Sequence, residues 1–171
     1  MKISEINDKE YFQYYKRYID LVGDNPILES LKIGLTATNN FFKNIPKSKL
    51  EFRYSEGKWT VKEILLHLID TERVFCYRAL YFARNTGSAI EGFDENMFAE
   101  NSNANTRDLD DLLNEYMAVR NSTINLFTSF STEVMKKGGL ANDNPLSVRS
   151  IGFIICGHEI HHANTIQERY L

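Results

Sequence analysis

Cysteine, proline and tryptophan are scarce in this sequence: two, three and one, respectively, among 171 residues. Cys76 and Cys156 do not have the spacing of a metal knuckle, and a disulfide is not expected in a reducing compartment. Both are read as small buried apolar residues. Cys156 stands two residues before His158, about 200° around a helix, and so points away from it. No run of 18 apolar residues is present, which excludes a membrane-spanning helix. The opening Met1-Lys2-Ile3-Ser4-Glu5 lacks a signal-peptide core, so a cytoplasmic location and no membrane partner are expected. A net charge of −3 and the lack of a basic stripe argue against nucleic acid as a partner. No segment alternates apolar and polar residues between hairpin turns, which argues against a β fold.

What is present reads as helix. The length suits one domain over residues 1–171, and the composition is that of an ordinary globular chain, 43% apolar and 25% charged. A short tyrosine-rich helix is expected over residues 9–22. A longer one spans 26–43, with Asn25 as N-cap and Pro26 as its first residue. The next starts at a capping box, Thr60 with Glu63, and its apolar residues Ile64, Leu65, Leu68, Phe75 and Leu80 carry it to residue 85. Leu109, Leu112, Leu113, Tyr116, Val119 and Ile124 share a face of a helix over 106–130. The last helix runs from near Ser147 to the end. The connections, residues 44–58, 87–105 and 136–145, exceed what a minimal up-down bundle needs, so at least one crosses the bundle end. The expected fold is all-α: a four-helix bundle with an extra N-terminal helix. The aromatics Tyr11, Phe12, Tyr14, Tyr15 and Tyr18 of that extra helix would serve core packing or an interface.

Histidine is sparse as well, and its placement is informative. All four histidines fall in two helical segments, His67 in one and His158, His161 and His162 in the other. His158 and His162 are about 40° apart with one turn of rise, so they share a face. His161 is about 100° from His162 and stands beside that pair. With His67 from the earlier helix, His158 and His162 supply three neutral nitrogens and leave positions open for water or substrate, the pattern of a catalytic metal site. Asp70, about 60° from His67, could orient an imidazole or meet metal-bound water. Glu159 and His161 are further candidates near the metal, and Arg73 and Arg78 could hold an anionic substrate. The segment from His158 to His162 also matches H-E-x-x-H, with Glu159 as general base. Too few residues follow it for a distant third ligand, and Thr165 and Glu168 stand where the extended form needs Gly and His. A di-iron site would need a second Glu-x-x-His, which the sequence lacks.

These segments together resemble the DinB superfamily, particularly its YfiT-like members, which are described as metal-dependent hydrolases. The resemblance rests on Gly57-Lys58-Trp59-Thr60-Val61-Lys62-Glu63-Ile64, on His67-Leu68-Ile69-Asp70-Thr71-Glu72-Arg73 and on Tyr77-Arg78-Ala79-Leu80. It continues through Gly92-Phe93-Asp94-Glu95 and Gly157-His158-Glu159-Ile160-His161-His162. The resemblance implies a bundle of up-down-down-up connectivity, commonly dimeric, holding zinc, nickel or a related divalent ion on His67, His158 and His162. It also implies a small-molecule substrate. Hydrolysis is one reaction it points to; the alternative is S-transfer from a low-molecular-weight thiol of the bacillithiol or glutathione type. A non-catalytic, stress-linked metal-binding protein is the third reading.

Overall fold

The computed structural model describes residues 1–85 and 89–171. Its elements run α1 (Lys16–Ile19), α2 (Ile27–Lys43), α3 (Val61–Arg84), β1 (Ala89–Ile90), α4 (Glu95–Glu100), α5 (Leu109–Thr128), α6 (Thr132–Met135), β2 (Gly138–Ala141), β3 (Asn144–Ser147) and α7 (Val148–Arg169), with short 3-10 turns between some of them. Helices α2, α3, α5 and α7 form a four-helix bundle.

The side-chain pairings fix the direction of each bundle helix. Along α2, Ile27 lies by Gly152 and Thr38 bonds Glu159, so α2 and α7 run parallel. Leu31 meets Arg120 and Gly34 meets Tyr116, which makes α2 and α5 antiparallel. Glu72 and Cys76 meet Arg120 and Thr123 in that order, so α3 and α5 are parallel. Trp59 and His67 meet Tyr170 and His158, so α3 opposes α7. The order is therefore up-down-down-up, and within the bundle each helix packs chiefly on two of the other three, with α2 diagonal to α3 and α5 diagonal to α7. Parallel neighbours need a chain that returns along the bundle, which accounts for the long connection between α3 and α5.

Three local features differ from the sequence-based expectation. The tyrosine-rich segment is not one helix: 3-10 turns at Asp8–Glu10 and Gln13–Tyr15 precede a single α-turn, and Tyr11 instead bridges to Leu146 beside the sheet. Pro26 is the N-cap of α2, with ψ of 144°, and the helix begins one residue later at Ile27. The connection expected over 136–145 is a β-hairpin. Asn142 and Asp143 adopt φ of 50° and 60°, the left-handed pair of a type I′ turn, and β1 joins β2 in parallel to complete the sheet. Strands this short show no legible alternation. The first residues of the expected 87–105 connection lie outside the described residues; the rest holds β1, α4 and a 3-10 turn.

Two apolar clusters fill the bundle. One gathers Phe75, Phe82, Phe127, Ile151, Phe153 and Ile154. The other gathers Phe42, Leu65, Ile69, Leu112, Leu113 and Ile166. Fully burying each such side chain is worth about 1.5–3 kcal/mol. Between the clusters lies a buried polar layer built from the middle turns of the helices: His67, Thr71, Glu72, Arg120, Thr123, His158 and Glu159. No described helix is long and apolar enough to cross a membrane.

Candidate metal centre

Both helices that carry the histidines are fixed at their starts. The Thr60 hydroxyl accepts from the Glu63 amide (3.1 Å), the Glu63 carboxylate accepts from the Thr60 amide (2.7 Å), and Arg53 donates twice to that same carboxylate. Helix α7 begins at Ser147, whose hydroxyl accepts from the Ser150 amide. Since α3 and α7 oppose each other in contact, one residue of α3 meets two of α7 that are a turn apart.

The result is a convergence of three ring nitrogens. Nε2 of His158 lies 3.1 Å from Nε2 of His67 and 3.0 Å from Nε2 of His162. One ligand atom from each of the three rings falls within 4.8 Å of the others. A neutral imidazole nitrogen either donates one proton or accepts one, so three facing nitrogens cannot all be satisfied by each other. A cation accepts a lone pair from each, and donors on a tetrahedral zinc stand about 3.3 Å apart. The donor set fits a divalent transition metal.

Electrostatics and hydrogen bonding favour lone-pair donation. Burial pushes the pKa of His67 down to about 4. Burial, reinforced by the neighbouring histidines, holds His158 and His162 well below the ordinary imidazole value. All three are thus neutral at neutral pH. Thr71 Oγ1 lies 3.3 Å from His67 Nδ1; a proton held on that edge leaves the Nε2 lone pair for the centre. His162 Nδ1 is buried with no hydrogen-bond partner among the described residues. Aromatic rings wall the cluster. Trp59 packs on His67 at 4.6 Å between ring centroids, and Tyr18 sets its ring against His158 and His161 at 5.1 and 5.3 Å. A cavity of about 240 Å³, lined by Tyr54, Trp59, Asn96, Thr165 and Tyr170, opens onto His162.

The other predicted site residues are distributed differently. His161 is partly exposed and packs beside the cluster against Tyr18 and His162; burial lowers its pKa, as does nearby Arg17. Asp70 does not orient His67, a role taken by Thr71 one helical turn on. Its carboxylate pairs with Arg73 at 3.3 Å, and Arg73 in turn holds Glu115 at 2.6 Å. Arg73 is therefore tied into a surface ion-pair chain. Arg78 is buried, with its guanidinium over the rings of Phe75 and Phe93, and its Nε has no partner among the described residues.

Glu159 departs furthest from its expected place near the metal. Adjacent helical residues point about 100° apart, so while His158 faces α3, Glu159 faces α2 and α5. There its carboxylate receives Arg120 at 3.0 and 2.9 Å, the Tyr116 hydroxyl at 2.7 Å and the Thr38 hydroxyl at 2.9 Å. Arg120 also donates twice to Glu72, each bond 2.8 Å. Burial opposes the Arg120 charge, but Glu159 and Glu72 overcome this and hold its pKa well above the ordinary value.

Several of these residues were missed by sequence reasoning, although signals for them exist. Arg120 stands at helical spacing in line with the apolar residues Leu113, Tyr116 and Phe127, where a solvated cation would not sit. Thr71 stands four residues after His67, the interval that brings helical side chains together. For Trp59 and Tyr18 the sequence offers no comparable cue.

The family model of the DinB superfamily matches residues 31–166. Among solved structures, YfiT from Bacillus subtilis, described as a probable metal-dependent hydrolase with an unusual four-helix bundle topology, is similar at a TM-score of 0.70. The similarity covers 96% of this chain and 90% of that one, at 19% sequence identity. No curated protein matches the chain significantly.

Proposed function

The chain belongs to the DinB superfamily, and we propose that His67, His158 and His162 hold a divalent transition metal in an enzyme that hydrolyses a small substrate. The observation that carries this reading is the convergence of three neutral Nε2 atoms, those of buried His67 and His158 and of half-buried His162. A bound ion of this kind supplies Lewis acidity that makes water a competent nucleophile near neutral pH.

The protein's own residues do the rest. Three nitrogen ligands occupy only part of a tetrahedral shell, which leaves room for substrate and nucleophile. The Thr71 hydroxyl can accept the Nδ1 proton of His67, which leaves Nε2 free for the ion. Trp59 and Tyr18 hold the imidazole rings from two sides and keep bulk water from them. The cleft beside His162 pairs aromatic walls with the polar groups of Asn96 and Thr165, a lining suited to a small molecule with an apolar body and a few polar groups.

The test is elemental analysis together with a screen of small esters and amides. Wild-type protein should carry about one divalent ion per chain, and chelation should abolish turnover. His67→Ala, His158→Ala and His162→Ala should each lose the ion. Full occupancy in all three variants overturns the site. Turnover that appears only with an added low-molecular-weight thiol would replace hydrolysis by S-transfer at the same centre. Metal bound without any turnover would favour a non-catalytic metal-binding role.

A further inference from the structure

Behind the histidines, on the side of α7 that faces α2 and α5, lies a buried ionic cluster for which the proposed chemistry has no use. Glu72, Arg120 and Glu159 are 4%, 1% and 3% exposed. One guanidinium serves two carboxylates, so the formal charges of the cluster sum to −1, out of contact with solvent.

The hydrogen bonds suit ionised carboxylates. Glu72 receives Arg120 Nε and Nη2, and the Thr123 hydroxyl at 2.6 Å. Glu159 receives Arg120 Nη1 and Nη2, Tyr116 and Thr38. All of these contacts can donate, as acceptor-only carboxylates require. The packing leaves no slack either. A Cβ on Gly34 of α2 would fall 1.8 Å from Glu159 Oε1 and 2.8 Å from Arg120 Nη1. Taking an unbalanced charge out of water costs several kcal/mol unless something nearby compensates it.

The compensating partner is suggested by what adjoins the cluster. A cavity of about 10 Å³ is lined by Glu72, Arg120, Glu159 and His158, together with the apolar side chains of Leu68, Phe75 and Ile155. That volume holds about one water molecule. The helices match as well: α3 bears both His67 and Glu72, and α7 bears His158 and Glu159 as consecutive residues. Three neutral imidazoles add no charge to offset a divalent cation, whereas a buried anion one water away does so in a medium that screens poorly.

We propose that Glu72, Arg120 and Glu159 form the buried counter-charge of the metal centre, joined to it through His158 across a one-water cavity, and that this cluster sets the affinity for divalent ions. These are positioning residues, acting through His158. The inference rests on the metal reading of the three histidines.

Zinc affinity, measured by competition with a chromophoric chelator at fixed pH, tests it. Glu72→Gln keeps the size of the side chain and removes the net charge, and should weaken zinc binding roughly tenfold or more, within the range seen when groups supporting metal ligands are altered. Glu159→Gln should do the same from the other carboxylate. Thr123→Val removes a hydrogen bond to Glu72 and leaves the charge intact; it should lower thermal stability while zinc affinity stays within about twofold of wild type. Glu115→Gln, which removes a carboxylate from the surface ion pairs, should also leave affinity unchanged. A folded Glu72→Gln protein that binds zinc as tightly as wild type overturns the proposal. So does failure of both glutamine variants to fold with or without zinc, since the cluster would then be a structural brace. Wild-type protein that takes up no zinc would instead refute the metal reading itself.

Discussion

His67 and His158, separated by 91 residues of sequence, place their Nε2 atoms 3.1 Å apart in the middle of the bundle. Nitrogens this close, both held neutral by burial, are the geometric basis of the metal site proposed above. The antiparallel contact of α3 with α7 produces the pairing, and the polar layer between two apolar clusters contains it.

Among the described residues, the Thr71 hydroxyl is the group within hydrogen-bond reach of His67 Nδ1. Thr71→Val is nearly isosteric and removes that contact. Zinc affinity should fall about 10- to 100-fold, read by chelator competition, with little change in helix content. Unaltered affinity would mean that ring packing alone orients His67.

The metal-free protein should lose stability on acidification. Unfolded His67 takes up its proton near 6.5 and the folded residue only at about 4. In that window the unfolded chain binds more protons, so stability falls as pH drops. His67 alone accounts for roughly 2 kcal/mol between pH 7 and pH 5, and His158 and His162 act in the same direction. Urea unfolding in the presence of a chelator would measure the slope, and His67→Gln should make it shallower. A flat profile would contradict the burial of these rings.

Arg120→Met should destabilise the fold by about 3–5 kcal/mol, because it strands two buried carboxylates without their cation. Urea unfolding at neutral pH should show this. A loss under about 1 kcal/mol would indicate that Glu72 and Glu159 find other compensation.

At Gly157 the backbone of α1 packs directly on α7. A Cβ there would lie 1.9 Å from the Tyr18 carbonyl oxygen and 2.4 Å from its carbon, atoms of the backbone that cannot swing aside. Gly157→Ala should cost about 1–3 kcal/mol in urea unfolding. It should also push Tyr18 off His158, visible as increased solvent exposure of the tyrosine. A stability equal to wild type would rule out this packing.

Much of the molecule was legible in the chain because its cues are local. The Thr60–Glu63 box, the apolar spacing after it and the one-turn interval of His158 and His162 are properties of one helix at a time. The N-terminal segment misled for the same reason. Its tyrosines allow a helix, but Tyr11 gains more by bridging to Leu146 on β3, and that partner is remote in sequence. The hairpin was hidden because strands of four residues are too short to display alternation, leaving Asn142-Asp143 as its one sign.

The sequence by itself determined the four bundle helices, the Thr60 cap of α3 and the candidacy of three histidines as ligands, since each depends on spacing within one segment. Only the tertiary structure decided how the polar residues were divided. It turned Glu159 from the metal to Arg120, gave Thr71 the place expected for Asp70, and brought Glu72 to the cavity behind His158. Those assignments depend on which helix faces which. In an up-down-down-up bundle, that is settled by packing between segments far apart in the chain.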